Sequence, residues 1–209
     1  MVTNKGDLHA DVYDGLTFLP IKQIEVEQNQ GDIQFDVRVG RAYIGGESGD
    51  GPVLAVIDES SVKVQEIRLS GRPASFQLEG NGDRIFVNLP TMGIVAVVDR
   101  MQGQVVASWQ LAARGNLAMA LDEAHHRLFI SAQDPAKLLV LDTQTGRTIA
   151  SLDCVGDAQD IFYAADRGLI YVSGGEGFVD VFHQVSPDNY ELVEKVPTAK
   201  LARTSGICD

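Results

Sequence analysis

Apolar residues along the chain fall into short runs that are separated by clusters of turn residues. The stretch from Ser75 to Leu111 shows this most clearly, in the runs SFQLEG, RIFVNL, IVAVVDR and VVASWQL. The runs are rich in β-branched and aromatic residues, which is typical of β-strands. The pattern therefore predicts four short strands in this stretch.

The same arrangement recurs with a constant period. The phrase DRIFVNLPTMGIVAVVD, which begins at Asp83, returns as HRLFISAQDPAKLLVLD from His126. An aromatic residue recurs in the second strand at spacings of 43, 43 and 42 residues, at Tyr43, Phe86, Phe129 and Tyr171. The Asp that closes the third strand recurs at spacings of 41 and 43 residues, at Asp58, Asp99 and Asp142. Two independent positions keep one period, which indicates a repeat protein.

The connections between the runs have the composition of tight turns. NGD at Asn81–Asp83 predicts a hairpin between the first and second strands. DRMQG at Asp99–Gly103 and DTQTG at Asp142–Gly146 predict short turns in which the Asp caps the turn and the Gly takes a positive φ. The run NLAMALDEAHHRL resembles a helix, but its place in the repeat predicts a strand.

Four strands in each period of about 40–45 residues predict an all-β fold, a β-propeller of four-stranded antiparallel blades. A single four-stranded sheet cannot bury both of its faces, whereas stacked blades bury theirs against each other. Equivalent outer-strand positions are apolar or small, as at Leu69, Leu111 and Cys154. The repeats run over about 30–70, 71–112, 113–154 and 155–196, within a single domain of residues 1–209.

The phrases RIFVNLPTMGIVAVVD, RLFISAQDPAKLLVLDTQTG and GLIYVSGGEGFVDVF resemble the YVTN-repeat β-propellers, the YncE-like group of bacterial proteins. The resemblance covers nearly the whole chain and is specific for the fold. It implies a seven-bladed ring and a periplasmic or secreted protein.

Seven blades would need about 300 residues, and both ends of the chain interrupt a repeat. We therefore expect a fragment, an open arc of three complete blades with partial blades at residues 1–29 and 197–209. An open arc exposes the faces of its terminal blades, so we expect self-association through them.

The net charge of −12 and the lack of clustered Lys and Arg make nucleic acid and anionic membranes poor partners. No apolar run approaches the roughly 20 residues of a membrane helix, and residues 1–20 carry no signal peptide pattern. The two cysteines do not decide the redox compartment.

Propellers commonly bind at the rim formed by two sets of loops, those that lead into the first strands and those that join the second and third strands. These loops place candidate ligand or partner residues of mixed charge on one rim: Asp32, Arg72, Asn116, Asp157, Asp160 and Arg203. The alternative interpretation is that they are solvated turn residues.

Catalytic and metal-binding patterns are weak. Asp157, Asp160 and Glu176 offer oxygen ligands for calcium, but the chain has no dense run of alternating carboxylates. The histidines lack the spacing of zinc or copper ligands, and no GxSxG motif occurs. We therefore predict no catalytic residues, no metal and no cofactor. Cys154 is predicted to be a core residue, and a disulfide with Cys208 is not favoured.

The leading hypothesis is a non-enzymatic binding scaffold whose rim loops hold a protein partner or a small ligand. The alternatives are a lactonase-like hydrolase or a dehydrogenase-associated subunit, whose site would be only partly contained in this chain. A third possibility is a truncated chain that has no function of its own.

Overall fold

The computed structural model describes residues 2–4, 9–14, 16–25, 31–58 and 64–207. Cys208 lies outside these residues. The described residues form strands, turns and irregular segments and no helix. In particular, the run that resembles a helix forms a strand over Met119–Asp122 followed by a turn, as the repeat predicts. No helix of the described residues is long and apolar enough to cross a membrane.

Within the described residues, nineteen strands form one three-stranded sheet and four four-stranded antiparallel sheets. The N-terminal sheet contains β1 (Val2–Asn4), β2 (His9–Tyr13) and β3 (Pro20–Glu25). The first blade contains β4 (Ile33–Asp36), β5 (Arg41–Ser48), β6 (Gly51–Asp58) and β7 (Val64–Arg68). The second contains β8 (Phe76–Leu78), β9 (Arg84–Leu89), β10 (Ile94–Asp99) and β11 (Gln104–Gln110).

The third blade contains β12 (Met119–Asp122), β13 (Arg127–Gln133), β14 (Ala136–Asp142) and β15 (Thr148–Asp153). The fourth contains β16 (Ala158–Ala164), β17 (Leu169–Gly174), β18 (Phe178–Ser186) and β19 (Asn189–Pro197). The expectation of three complete blades is therefore wrong, because the described part of the chain has four. The stretch from about residue 30 to 196 holds four periods, and each period supplies one whole sheet.

The aromatic residues that define the period occupy equivalent places, as predicted. Each is the third residue of the second strand of its blade and pairs with a Val on the third strand. Tyr43 pairs with Val56, and Tyr171 pairs with Val181. Phe86 and Phe129 have the corresponding partners Val97 and Val140. The period therefore reports the register of the sheets.

Neighbouring blades share their cores. One cluster joins Tyr43 and Val56 of the first blade to Phe76 and Val87 of the second. A second cluster joins the second blade to the third, and another joins Phe129 of the third blade to residues of the fourth. Each fully buried apolar side chain contributes about 1.5–3 kcal/mol, so the stacking that the repeat predicts is the main source of stability.

The first strands β4, β8, β12 and β16 lie next to one another on the inner side of the arc. The fourth strands form its outer side, where β11 alternates between exposed and half-buried residues. The face of the fourth blade that carries Tyr171 is only half-buried, whereas the equivalent Phe129 is fully buried. The described blades therefore form an open arc and not a closed ring.

Candidate functional site

The two sets of loops singled out in the sequence meet at one end of the blades, which we call the entry rim. In the third blade Arg114 and Asp134 form an isolated antiparallel bridge between the two loops. In the fourth blade Gly175 N donates to Asp157 O at 3.1 Å. The antiparallel order of the strands brings these loops together, because the first strand begins where the second strand ends.

Asp32 and Asp160 hold equivalent places on the entry rim, each two residues before the position that pairs with the repeat aromatic. Both carboxylates bind the backbone of the segment that follows one repeat later. Asp32 Oδ2 accepts a hydrogen bond from Phe76 N at 3.3 Å. Asp160 Oδ2 accepts one from Ser205 N at 2.8 Å. An Asp at the same repeat position thus connects the inner strand to the following segment in both the first and the fourth blade.

The pKa of Asp32 is shifted by its surroundings. Burial raises the pKa of Asp32, and hydrogen bonds from the backbone N–H groups of Phe76 and Ile33 oppose this effect. The negative charge of Asp160 raises the pKa of Asp32 further. Both residues lie at the inner side of the arc, Asp32 just before β4 and Asp160 within β16. A cationic group bound at this side of the arc would offset their negative charge.

Asp157 and Arg203 are brought together as an ion pair. Arg203 Nη1 lies 3.4 Å from Asp157 Oδ1, and both side chains are more than a third exposed. Asp157 has a positive φ of 53°, which suits the tight approach of its backbone to the neighbouring loop. The charge of Asp157 is therefore balanced within the rim.

Of the two remaining predicted rim residues, only Arg72 is exposed. Asn116 is fully buried and belongs to the interior, so its expected place on the accessible rim is corrected. Its Nδ2 donates to Asn88 Oδ1 at 2.8 Å and to Ile94 O at 2.9 Å. The loop before β12 packs against the second blade, where Asn116 donates hydrogen bonds to one side-chain oxygen and one backbone oxygen.

Asp157, Asp160 and Glu176 do not form a set of metal ligands. Glu176 is used to accept a hydrogen bond from Gly156 N at 3.0 Å. Among the described residues, no group of three or more His, Cys, Asp or Glu side chains is placed to hold a metal ion. Cys154 is half-buried against the core of the last two blades, and burial raises the pKa of its thiol to about 12.

Sequence reasoning missed a row of buried carboxylates at the opposite end of the blades, which we call the exit rim. They lie where the first strand of each of the first three blades ends or just after it, at Asp36, Glu79 and Asp122. Their spacing is 43 residues each time. An Arg follows each of them five residues later, at Arg41, Arg84 and Arg127. The period could have revealed both rows.

These carboxylates connect neighbouring blades. Asp36 forms an ion pair with Arg100 of the second blade. Asp122 Oδ2 accepts a hydrogen bond from Gln184 Nε2 of the fourth blade at 2.9 Å. Burial would raise the pKa of Asp122, but the hydrogen bonds from Gln184 and His125 outweigh it and lower the pKa. Arg100 follows Asp99 and Gln184 follows His183, and both Asp99 and His183 pair with the first residue of the second strand of their blade. The contact is therefore itself repeated.

A cleft of about 310 Å³ lies at the exit rim between the first and second blades. Its walls combine apolar and cationic side chains, namely Phe35, Val37, Leu78, Arg38 and Arg100. The repeat pattern does not predict this cleft, because Arg38 and Arg100 occupy different positions of the repeat.

No family model matches the sequence, and no curated protein matches it. Solved structures do resemble the fold. Hydrazine synthase from Kuenenia stuttgartiensis is 13% identical with a TM-score of 0.79, over 93% of this chain and 61% of that one. A chain of the mitotic checkpoint complex is 11% identical with a TM-score of 0.79, over 94% and 61%.

A functionally unknown protein from Desulfotomaculum acetoxidans DSM 771 is 14% identical with a TM-score of 0.75, over 88% of this chain and 62% of that one. The chain thus spans less than two thirds of the length of these three structures. At such identities the likeness concerns the fold alone. Together with the stacked four-stranded sheets, it identifies the fold as a β-propeller, present here as an incomplete arc.

Proposed function

We propose that this protein is a non-enzymatic binding scaffold that presents its entry rim to a protein partner or a small ligand. The observation that carries the proposal is a pair of carboxylates at one repeat position of the entry rim, Asp32 in the first blade and Asp160 in the fourth. Burial is the main cause of the raised pKa of Asp32, and the negative charge of Asp160 adds to it. Such a pair favours a cationic group of the ligand, for example an ammonium or a guanidinium.

Hydrogen bonds between blades support a scaffold role because they hold the rim in one conformation. Ser75 N and Ser75 Oγ both donate to Leu117 O, at 3.2 Å and 2.6 Å. Gly115 N donates to Pro90 O at 3.2 Å. A rim that is ordered before binding loses little conformational entropy when a ligand arrives. Side chains that project from it, such as Arg72, are then free to select the partner.

Fluorescence anisotropy with labelled tetralysine tests the proposal. The full chain is titrated at about 150 mM salt, which screens attraction to its overall negative charge. We expect Asp32→Asn and Asp160→Asn each to weaken binding about tenfold, which is about 1.4 kcal/mol. Asp153→Asn is the control, since this carboxylate lies on outer strand β15 and is 93% exposed. Equal affinities for all four proteins would contradict the role of the pair.

We also propose that two copies associate through the end faces of the arc. The connection between β2 and β3 and the start of β3 expose Leu16, Phe18, Leu19 and Ile21. At the other end, the Tyr171 face of the fourth blade is half-exposed. Contiguous exposed apolar surface of this kind is typical of association sites. Sedimentation velocity should show a dimer that Phe18→Asp weakens, whereas a monomer at all concentrations that binds no hydrophobic dye would contradict this.

The resemblance of the repeats to YVTN propellers supports two finer proposals, that the chain is a YncE-like propeller and that it acts in the periplasm or outside the cell. Fractionation of cells that carry the native gene tests the second. We expect the protein in the periplasmic or extracellular fraction. Recovery in the cytoplasm alone would contradict it.

A further inference from the structure

The cleft at the exit rim has a cationic floor in a protein of net charge −12. Arg38 and Arg100 both bind the single carboxylate of Asp36. Arg38 Nε lies 3.4 Å from Asp36 Oδ1, and Arg100 Nη1 pairs with Asp36 Oδ2. Two guanidinium groups against one carboxylate leave one positive charge in the cleft.

The other carboxylate in the cleft wall does not cancel this charge. Glu79 is bound by Arg84, whose Nη2 lies 2.5 Å from Glu79 Oε1. Glu79 instead contributes its backbone carbonyl, which accepts hydrogen bonds from Arg38 and from Arg100. The excess positive charge therefore stays with the Arg38 and Arg100 pair.

Arg100 also holds a donor that lacks an acceptor. Its side chain is 2% exposed, and its Nε is buried and has no hydrogen-bond partner among the described residues. Leaving a buried donor unpaired costs about 1–3 kcal/mol, and more for a charged group. Such a group at the wall of an open cleft gains from an incoming acceptor, especially an anionic one.

The rest of the wall is apolar. Phe35 is 48% exposed and Val37 is 81% exposed, while Leu78 is half-buried. Exposed apolar side chains beside the guanidinium groups of Arg38 and Arg100 match a ligand that has an anionic end and an apolar body. The volume of about 310 Å³ is at the small end of the range for small-molecule sites.

We propose that this cleft binds a small organic carboxylate. The carboxylate lies against the part-exposed guanidinium of Arg38, the buried guanidinium of Arg100 adds positive charge, and the apolar body lies against Phe35, Val37 and Leu78. The site is separate from the entry rim, because it lies at the other end of the blades. It also uses residues of two blades, so it exists only when the first and second blades are stacked.

Benzoate is the test ligand, and benzamide is its neutral counterpart of the same shape. Both are titrated into the full chain by isothermal titration calorimetry and by ¹H–¹⁵N NMR. We expect benzoate to bind at least tenfold more tightly than benzamide and to shift the amide signals of Phe35, Val37 and Arg38. Inorganic phosphate in a third titration tests whether charge alone suffices, and we expect weaker binding than for benzoate.

The variant Arg38→Gln removes one guanidinium whose side chain is 37% exposed, so the fold should survive. We expect it to weaken benzoate binding at least tenfold. Arg68→Gln is the matched control, because Arg68 is an exposed arginine that pairs with Asp50 on the first blade and lies outside the cleft. Unchanged affinity in Arg38→Gln, equal loss in Arg68→Gln, or equal binding of benzoate and benzamide would each overturn the proposal. None of these results bears on the Asp32 and Asp160 pair.

Discussion

Asp36 and Arg100 form an ion pair between the first and second blades, with only 4% and 2% of their side chains exposed. Asp36 closes β4, and Arg100 follows the last residue of β10. Their contact thus joins the inner strand of one blade to the third strand of the next. Removing one member of a buried pair leaves the other charge uncompensated, which costs far more than the loss of an exposed pair.

We therefore predict that Asp36→Asn lowers the free energy of unfolding by about 3–5 kcal/mol. Asp50→Asn is the control, because the pair of Asp50 with Arg68 is equally close but lies on the surface. Its cost should be below about 1 kcal/mol. Urea denaturation followed by circular dichroism measures both free energies of unfolding. Similar losses for the two variants would contradict the predicted difference between the buried and the exposed ion pair.

Gly103 and Gly146 end equivalent turns in the second and third blades, and both have a positive φ, of 66° and 73°. They differ in their surroundings. A Cβ at Gly103 would meet nothing within 4 Å, whereas one at Gly146 would overlap the indole ring of Trp109 in the preceding blade. The turn conformation is thus shared, and the contact with the neighbouring blade is not.

Gly103→Ala should cost about 1–2 kcal/mol, the penalty of the left-handed conformation alone. Gly146→Ala should cost a further 1–3 kcal/mol or so, because the indole must move within a packed interface. Trp109 is the only tryptophan of the chain, so its emission reports the movement directly. A shifted emission maximum in Gly146→Ala and none in Gly103→Ala is the expected result; identical spectra would argue against the Trp109 contact.

We predict that replacing Asp32 by Asn stabilises the fold and that the gain depends on pH. Its pKa is raised in the folded protein, mainly by burial, so the folded state holds this proton more tightly than the unfolded state. The charged form of Asp32 therefore destabilises the fold as pH rises above the unfolded value of about 4. Asn keeps a side-chain oxygen that can accept the hydrogen bonds from Phe76 N and Ile33 N.

We expect Asp32→Asn to raise Tm at pH 7 and to leave it unchanged near pH 3, where Asp32 is already protonated. Asp153→Asn should behave in the opposite way, because the hydrogen bond and charge of Lys137 lower the pKa of Asp153. Thermal unfolding at both pH values measures these effects. A loss of stability in Asp32→Asn at pH 7 would contradict the prediction that the charged form of Asp32 destabilises the fold.

The repeat itself was predictable because stacking gives every blade the same environment. Tyr43, Phe86 and Phe129 each fill the space against the next blade and are fully buried, so the sequence repeats them at a fixed interval. The turns at Asp99 and Asp142 were predictable for a local reason. Each Asp accepts hydrogen bonds from the two backbone N–H groups two and three residues later.

The contents of the rims were less predictable, because they depend on contacts between blades. Asn is a residue type that is common in exposed loops, yet Asn116 is completely buried. Asp36 and Arg100 lie 64 residues apart, and the residue equivalent to Arg100 in the fourth blade is Gln184, so the sequence repeat does not reveal the ion pair. The row of Asp36, Glu79 and Asp122 did carry a periodic signal, but it also fits ordinary turn residues.

The central claim is that the blades stack side by side, so that each blade buries the repeat aromatic residue of the blade before it. Phe129 and Tyr171 test it most directly, because they share one position of the repeat. Phe129 packs against Tyr163 and Tyr190 of the fourth blade, with ring centroids 5.0 Å and 5.8 Å apart. Tyr171 lies on the half-exposed face of that same blade.

The decisive measurement is therefore the free energy of unfolding of Phe129→Ala and Tyr171→Ala against the unaltered chain, at a concentration where the chain is monomeric. Stacked blades predict a loss of about 3–5 kcal/mol for Phe129→Ala and a clearly smaller loss for Tyr171→Ala. Equal losses, or a larger loss for Tyr171→Ala, would contradict the arrangement of the blades.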